Sequence, residues 1–140
     1  SMYFNATAFF IVYHASAVVL MRRIRSMTFG WAPLARTLSW AMIVGAVSLF
    51  WAWGETAFYF KLADNDFANV WYEDLDRMLA YGSWFYALYF VVAFPIVYRL
   101  DEDAAGERWS VGRMLIEASA VGMLTLLLID LATWTVGGKL

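Results

Sequence analysis

The sequence predicts an all-α integral membrane protein, a four-transmembrane-helix antiparallel bundle. Three observations predict it. Of 140 residues, 63% are hydrophobic and only 16% charged, well below the roughly 25% charged share of soluble domains. The charges gather into short segments, leaving four apolar runs at residues 3–21, 38–60, 79–98 and 114–136, each 19 to 23 residues long. About 20 helical residues cross the hydrocarbon core. Finally, a soluble bundle needs a polar face repeating every three to four residues, whereas segments 38–53 and 118–129 contain no charge at all.

Taken in order, the first run starts "SMYFNATAFF", without the basic region that opens a cleavable signal, and its cluster "RRIR" follows the apolar stretch. It is expected to persist as a helix. Within the second and fourth runs, segments 38–53 and 118–129 are apolar all round. They carry the small pairs Ala41 with Gly45 and Ala118 with Gly122, a spacing that permits close helix approach. The third run, "FYALYFVVAFPIVYRLDE", holds Pro95 near its end and stops at Arg99, Asp101 and Glu102. All four helices are read as a single transmembrane domain over 1–140.

Seven of the ten basic residues fall in loops 22–37 and 99–113. The positive-inside rule makes those loops cytoplasmic, with the acidic hairpin "LADNDFANVWYEDLD" on the opposite side. A bacterial inner membrane and an endoplasmic reticulum membrane fit equally well. There are no cysteines and one histidine, so thiolate metal sites are excluded and no metal is expected. No phosphate loop, dinucleotide fingerprint or nucleic-acid motif is present.

Chemistry is therefore sought among ionisable residues inside the helices, which usually face a bundle interior or a cavity. These are His14, Glu55 and Asp130, with Glu117 nearer the basic end. At 1.5 Å per residue, Glu55 and Asp130 lie about 8 and 9 Å from the same end of the bundle, and His14 about 16 Å. Tyr86 and Tyr89 are positioned to face them. Apolar surroundings disfavour a carboxylate and favour a carboxylic acid that keeps its proton, the state a general acid needs. The bland reading is that these groups only join helices through hydrogen bonds.

The segment "FYALYFVVAFPIVYRLDE" resembles, nearly position by position, a stretch of the cycloeucalenol cycloisomerases, which isomerise cyclopropyl sterols. "VYHASAVVLMRRIR" (12–25), the pair "ET" (55–56) and "WSVGRMLIEASAVGMLTLLLID" (109–130) resemble further pieces of that family in the same order. Together they cover about residues 10–130, resembling the family's C-terminal half. Longer plant members carry an additional membrane-spanning half before this region, and Thr7 stands where a histidine is expected.

The resemblance implies a cofactor-independent isomerase, an intramolecular lyase that opens the 9,19-cyclopropane ring of a sterol to give an 8-ene. Such a reaction needs an acid, a base and a water-poor pocket. Glu55 is the first choice for the acid, with Asp130 or His14 as base or orienting partner, and the roles of Glu55 and Asp130 can be exchanged. Tyr86, Tyr89, Trp51 and Trp84 are candidates to stabilise cationic charge through their ring faces. Asp101 is a candidate proton source or sterol-hydroxyl ligand at the basic mouth, with Glu102 and Arg99 beside it, although all three also read as an interfacial helix stop. Expected partners are a sterol or other lipid, the bilayer and a second copy of the chain. The alternative is a non-catalytic sterol- or lipid-binding, or structural, membrane protein.

Overall fold

The computed structural model describes residues 2–58, 73–102 and 108–136. Its elements are α1 (Met2–Met27), α2 (Pro33–Ala57), the single turn α3 (Leu75–Arg77), a π-helical turn (Met78–Gly82), α4 (Ser83–Glu102) and α5 (Val111–Thr135). Among the described residues there is no strand. Four helical spans are long and apolar enough to cross a membrane, the third formed by α3, the π turn and α4 together. The protein is an all-α, four-transmembrane-helix bundle.

The helices overrun the apolar runs at their basic ends. α1 continues through Arg22, Arg23 and Arg25, and α2 starts at Pro33, five residues ahead of the apolar run. Hydropathy reports hydrocarbon thickness, whereas backbone hydrogen bonding continues into the interface with good helix formers such as arginine. Pro33 suits the first helical turn, where its missing N–H would have had no acceptor. Gly30, at φ 88°, supplies the left-handed residue that reverses the chain between α1 and α2. The Ser110 hydroxyl caps α5 by accepting from the Arg113 N–H at 3.2 Å. Asp74 caps α3 in the same way, at 2.9 Å from the Arg77 N–H.

Ring contacts fix the up-and-down topology. At the basic end, Arg25 of α1 and Trp40 of α2 both meet Tyr98 of α4, at 5.8 and 6.0 Å. At the other end, Phe9 of α1 meets Phe58, just past α2, at 6.2 Å. Arg99 at the end of α4 reaches Glu117 near the start of α5, with 3.6 Å between charged atoms. Consecutive long helices therefore run antiparallel.

The bundle is not symmetric. α1, α2 and α4 pack on one another, while α5 packs mainly on α4. The shared core is a stripe from each of the three: Tyr13, Ala17, Val18 and Met21; Val44, Val47 and Ala52; Ala87, Phe90, Phe94 and Tyr98. Apart from the adjacent pair Ala17 and Val18, each stripe repeats at three to five residues, one face of a helix. By contrast, Thr125 is the one fully buried residue described in α5. Lipid is as apolar as leucine, so there is no hydrophobic drive to bury the rest of α5, and contact packing and hydrogen bonds decide which helices associate. Neither small-residue pair forms a close helix contact: a Cβ added at Gly45 or Gly122 would meet nothing within 4 Å.

Candidate functional site

A hydrogen bond between side chains joins α2 and α4 across their seam. The Tyr86 hydroxyl donates to Glu55 Oε2 at 2.5 Å, at the short end of the range for two oxygens. Both residues are half-buried. Their elements meet because Glu55 lies in the last turn of α2 and Tyr86 in the first turn of α4. With Oε2 engaged, a proton carried by the Glu55 carboxyl belongs on Oε1.

Beneath this pair runs a wall of rings. Tyr86 packs on Phe90 at 5.0 Å, Phe90 stacks on Phe94 at 5.1 Å, and Phe94 meets the His14 ring edge-on at 5.3 Å. Tyr13 closes one side, 4.4 Å from Trp51 and 5.8 Å from Phe90. Trp51 is oriented by its indole N–H, which donates to Ser16 Oγ at 3.0 Å; the Ser16 hydroxyl donates in turn to the Tyr13 carbonyl at 2.9 Å. Ser48, seven residues before Glu55 and on the same face of α2, is fully buried with its hydroxyl oxygen unpartnered among the described residues.

His14 stands at the other end of the ring wall. Its Nδ1 lies 2.7 Å from the Phe10 carbonyl oxygen. A carbonyl only accepts, so Nδ1 carries the hydrogen and a neutral ring presents Nε2 as a lone pair. His14 also lines an open groove of about 390 Å³ between α1 and α4, with Val18, Arg22, Val97 and Leu100 among its walls. Imidazole and carboxyl are therefore separated by Tyr86, Phe90 and Phe94 rather than in contact.

The other expected residues fall elsewhere. Asp130 is exposed and has no hydrogen bond or ion pair among the described residues. It is level with Glu55: Tyr86 lies 13 residues before Arg99, and Asp130 lies 13 residues after Glu117, about 20 Å along each helix from that ion pair. Thirteen residues also turn an ideal helix by about 220°, which carries Asp130 away from the face by which Glu117 meets α4. Tyr89 packs edge-on against Phe90 at 5.9 Å but is 40% exposed, and Trp84 is 60% exposed. Arg99 pairs with Glu117 and lies over the Trp109 ring at 5.7 Å, while Arg113 covers the same ring at 4.0 Å. The side chains of Asp101 and Glu102 lie outside the described residues.

Sequence reasoning did not single out Tyr13, Phe90 or Phe94 as part of this wall. A signal was present in the four-residue spacing of Tyr86, Phe90, Phe94 and Tyr98, which one helix face requires.

No family model matches the chain, and no solved structure matches it. A curated protein of Arabidopsis thaliana, cycloeucalenol cycloisomerase, is 34% identical over 125 residues, or 87% of this chain. The chain spans 41% of that relative's length. The sequence resemblance is thus to a part of a cycloeucalenol cycloisomerase.

Proposed function

We propose that this chain carries an acid–base site for isomerising a cyclopropyl sterol, with Glu55 as proton donor. The observation that carries the reading is the Tyr86–Glu55 hydrogen bond at the head of a buried ring wall, on a chain similar to a cycloisomerase. The carboxyl proton on Oε1 passes to carbon 19 as the bond between carbons 9 and 19 breaks. Positive charge develops at carbon 9, and loss of the carbon 8 proton to a base leaves the 8-ene. Atoms and charge balance with no electron carrier. The proton taken from carbon 8 leaves through exchange with water, and the Glu55 carboxylate regains one.

Tyr86 holds the carboxyl and, as the donor in that bond, stabilises its anion after transfer. His14 Nε2 is the base closest to the wall, and the half-buried rings of Tyr86 and Trp51 are the ones whose faces would favour a cation, worth roughly 0.5 to 2 kcal/mol each when desolvated. Asp130 serves as a base in this scheme only when something covers its side of α5. The chain is read as one domain, with its basic end cytoplasmic by the positive-inside rule.

A second reading has one specific observation behind it. The partner of Glu55 is a tyrosine on a neighbouring helix, the arrangement expected of polar helix–helix glue in a non-catalytic lipid binder. Incubating purified protein in nanodiscs with cycloeucalenol in deuterated water separates the two. The isomerase reading predicts a ring-opened 8-ene with deuterium in the new methyl group. Saturable sterol binding without turnover would instead support the binder.

A further inference from the structure

The basic end holds a second cavity that the isomerase chemistry does not use. It measures about 320 Å³ and is lined by Arg25, Trp31, Pro33, Arg36, Thr37 and Trp40, where α1 ends and α2 begins. Two of these residues bury nitrogen donors, Arg36 Nε and the Trp40 indole nitrogen, that have no hydrogen-bond partner among the described residues. Buried donors normally find acceptors, because each one left unmade costs about 1 to 3 kcal/mol. Both here can only donate, so the missing partner is an acceptor.

Charge points the same way. The connection 22–37 contains four arginines and no acidic residue, and among the described residues neither Arg25 nor Arg36 has an ion pair. Their guanidinium groups lie over aromatic rings instead, Arg25 at 5.8 Å from the Tyr98 centroid and Arg36 at 5.9 Å from that of Phe29. Ring stacking fixes the guanidinium plane while leaving its N–H edge for a ligand. No side chain caps α2, so the positive end of its dipole adds to the field.

We infer that this cavity binds the phosphate of a phospholipid headgroup in the leaflet that borders the basic end. Phosphate offers several acceptor oxygens and matches the guanidinium fork. The surroundings favour a lipid source over free phosphate: Met27, Phe29, Trp31 and Leu34 are exposed apolar residues at 64%, 81%, 55% and 71% around the same turn. Aromatic and apolar side chains so placed enter the headgroup and acyl boundary, where acyl chains would lie against them. The bound lipid would tie the ends of α1 and α2 together beside Tyr98 of α4.

Native mass spectrometry of the delipidated full chain in nonionic detergent tests this with three probes: phosphatidylglycerol, diacylglycerol of the same chains, and inorganic phosphate. One phosphatidylglycerol should be retained, about tenfold less tightly by Arg36→Gln. Arg23→Gln, whose residue does not line the cavity, should retain it like the parent. Diacylglycerol retained as well as phosphatidylglycerol would overturn the site, leaving a merely apolar surface. So would equal retention by Arg36→Gln, or by both arginine variants to the same reduced degree. Displacement of the lipid by millimolar inorganic phosphate would overturn the lipid assignment. The two lipid probes, which share their acyl chains and differ in the phosphoglycerol headgroup, keep the test decisive when Arg36→Gln fails to fold.

Discussion

Glu55 and Asp130 are two carboxyls at one depth of the bundle in opposite settings. Glu55 lies on the α2–α4 seam and accepts from Tyr86 at 2.5 Å. Asp130 is exposed on α5, turned away from the face that carries Glu117 toward Arg99. A membrane-embedded carboxyl with a partner costs little, whereas one facing lipid costs about 2.5 to 3.5 kcal/mol at a helix centre. Depth alone therefore does not make a site; the face of the helix decides.

The sharpest break in that comparison is Glu55→Gln. It keeps the shape and an acceptor for Tyr86 but removes the transferable proton, so turnover should fall about 10²- to 10⁴-fold with the helical circular dichroism unchanged. His14→Asn is expected to come next. An amide N–H can still donate to the Phe10 carbonyl while the Nε2 lone pair is lost, so turnover should fall about 10²-fold; unchanged turnover would remove His14 from the base role.

Tyr86→Phe sharpens the seam. Losing one interhelical hydrogen bond should cost about 0.6 to 1.7 kcal/mol in a denaturant titration in detergent micelles, with a smaller loss of turnover than Glu55→Gln. Asp130→Asn should change turnover less than tenfold if its face meets lipid. A loss as large as that of Glu55→Gln, together with a shift in oligomeric state, would mean that a second copy covers α5. Smallest is Glu117→Gln at the basic end. Arg99 and Arg113 are about half exposed around it, so the ion pairs should contribute about 0 to 1 kcal/mol by the same titration.

What the sequence made legible follows from the same physics. Run lengths revealed four spans, and the depths of Glu55 and Asp130 could be counted from helix rise. Tyr86 was among the residues placed to meet Glu55. The exposed and the packed sides of α5 were not legible, because the exposed Leu115, Leu126 and Leu131 look no different in kind from the half-buried Val121 and Leu128. An amphipathic soluble helix advertises its buried face, whereas a membrane helix does not. For that reason the outward turn of Asp130 and the ring wall between His14 and Glu55 appear only in three dimensions.

The most direct test is a side-by-side incubation of the parent chain, Glu55→Gln and Asp130→Asn with cycloeucalenol in deuterated water, reading deuterium at carbon 19 by NMR. The account predicts incorporation by the parent and Asp130→Asn and almost none by a folded Glu55→Gln. Incorporation by Glu55→Gln at the parent rate would contradict it and leave the α2–α4 hydrogen bond as helix glue.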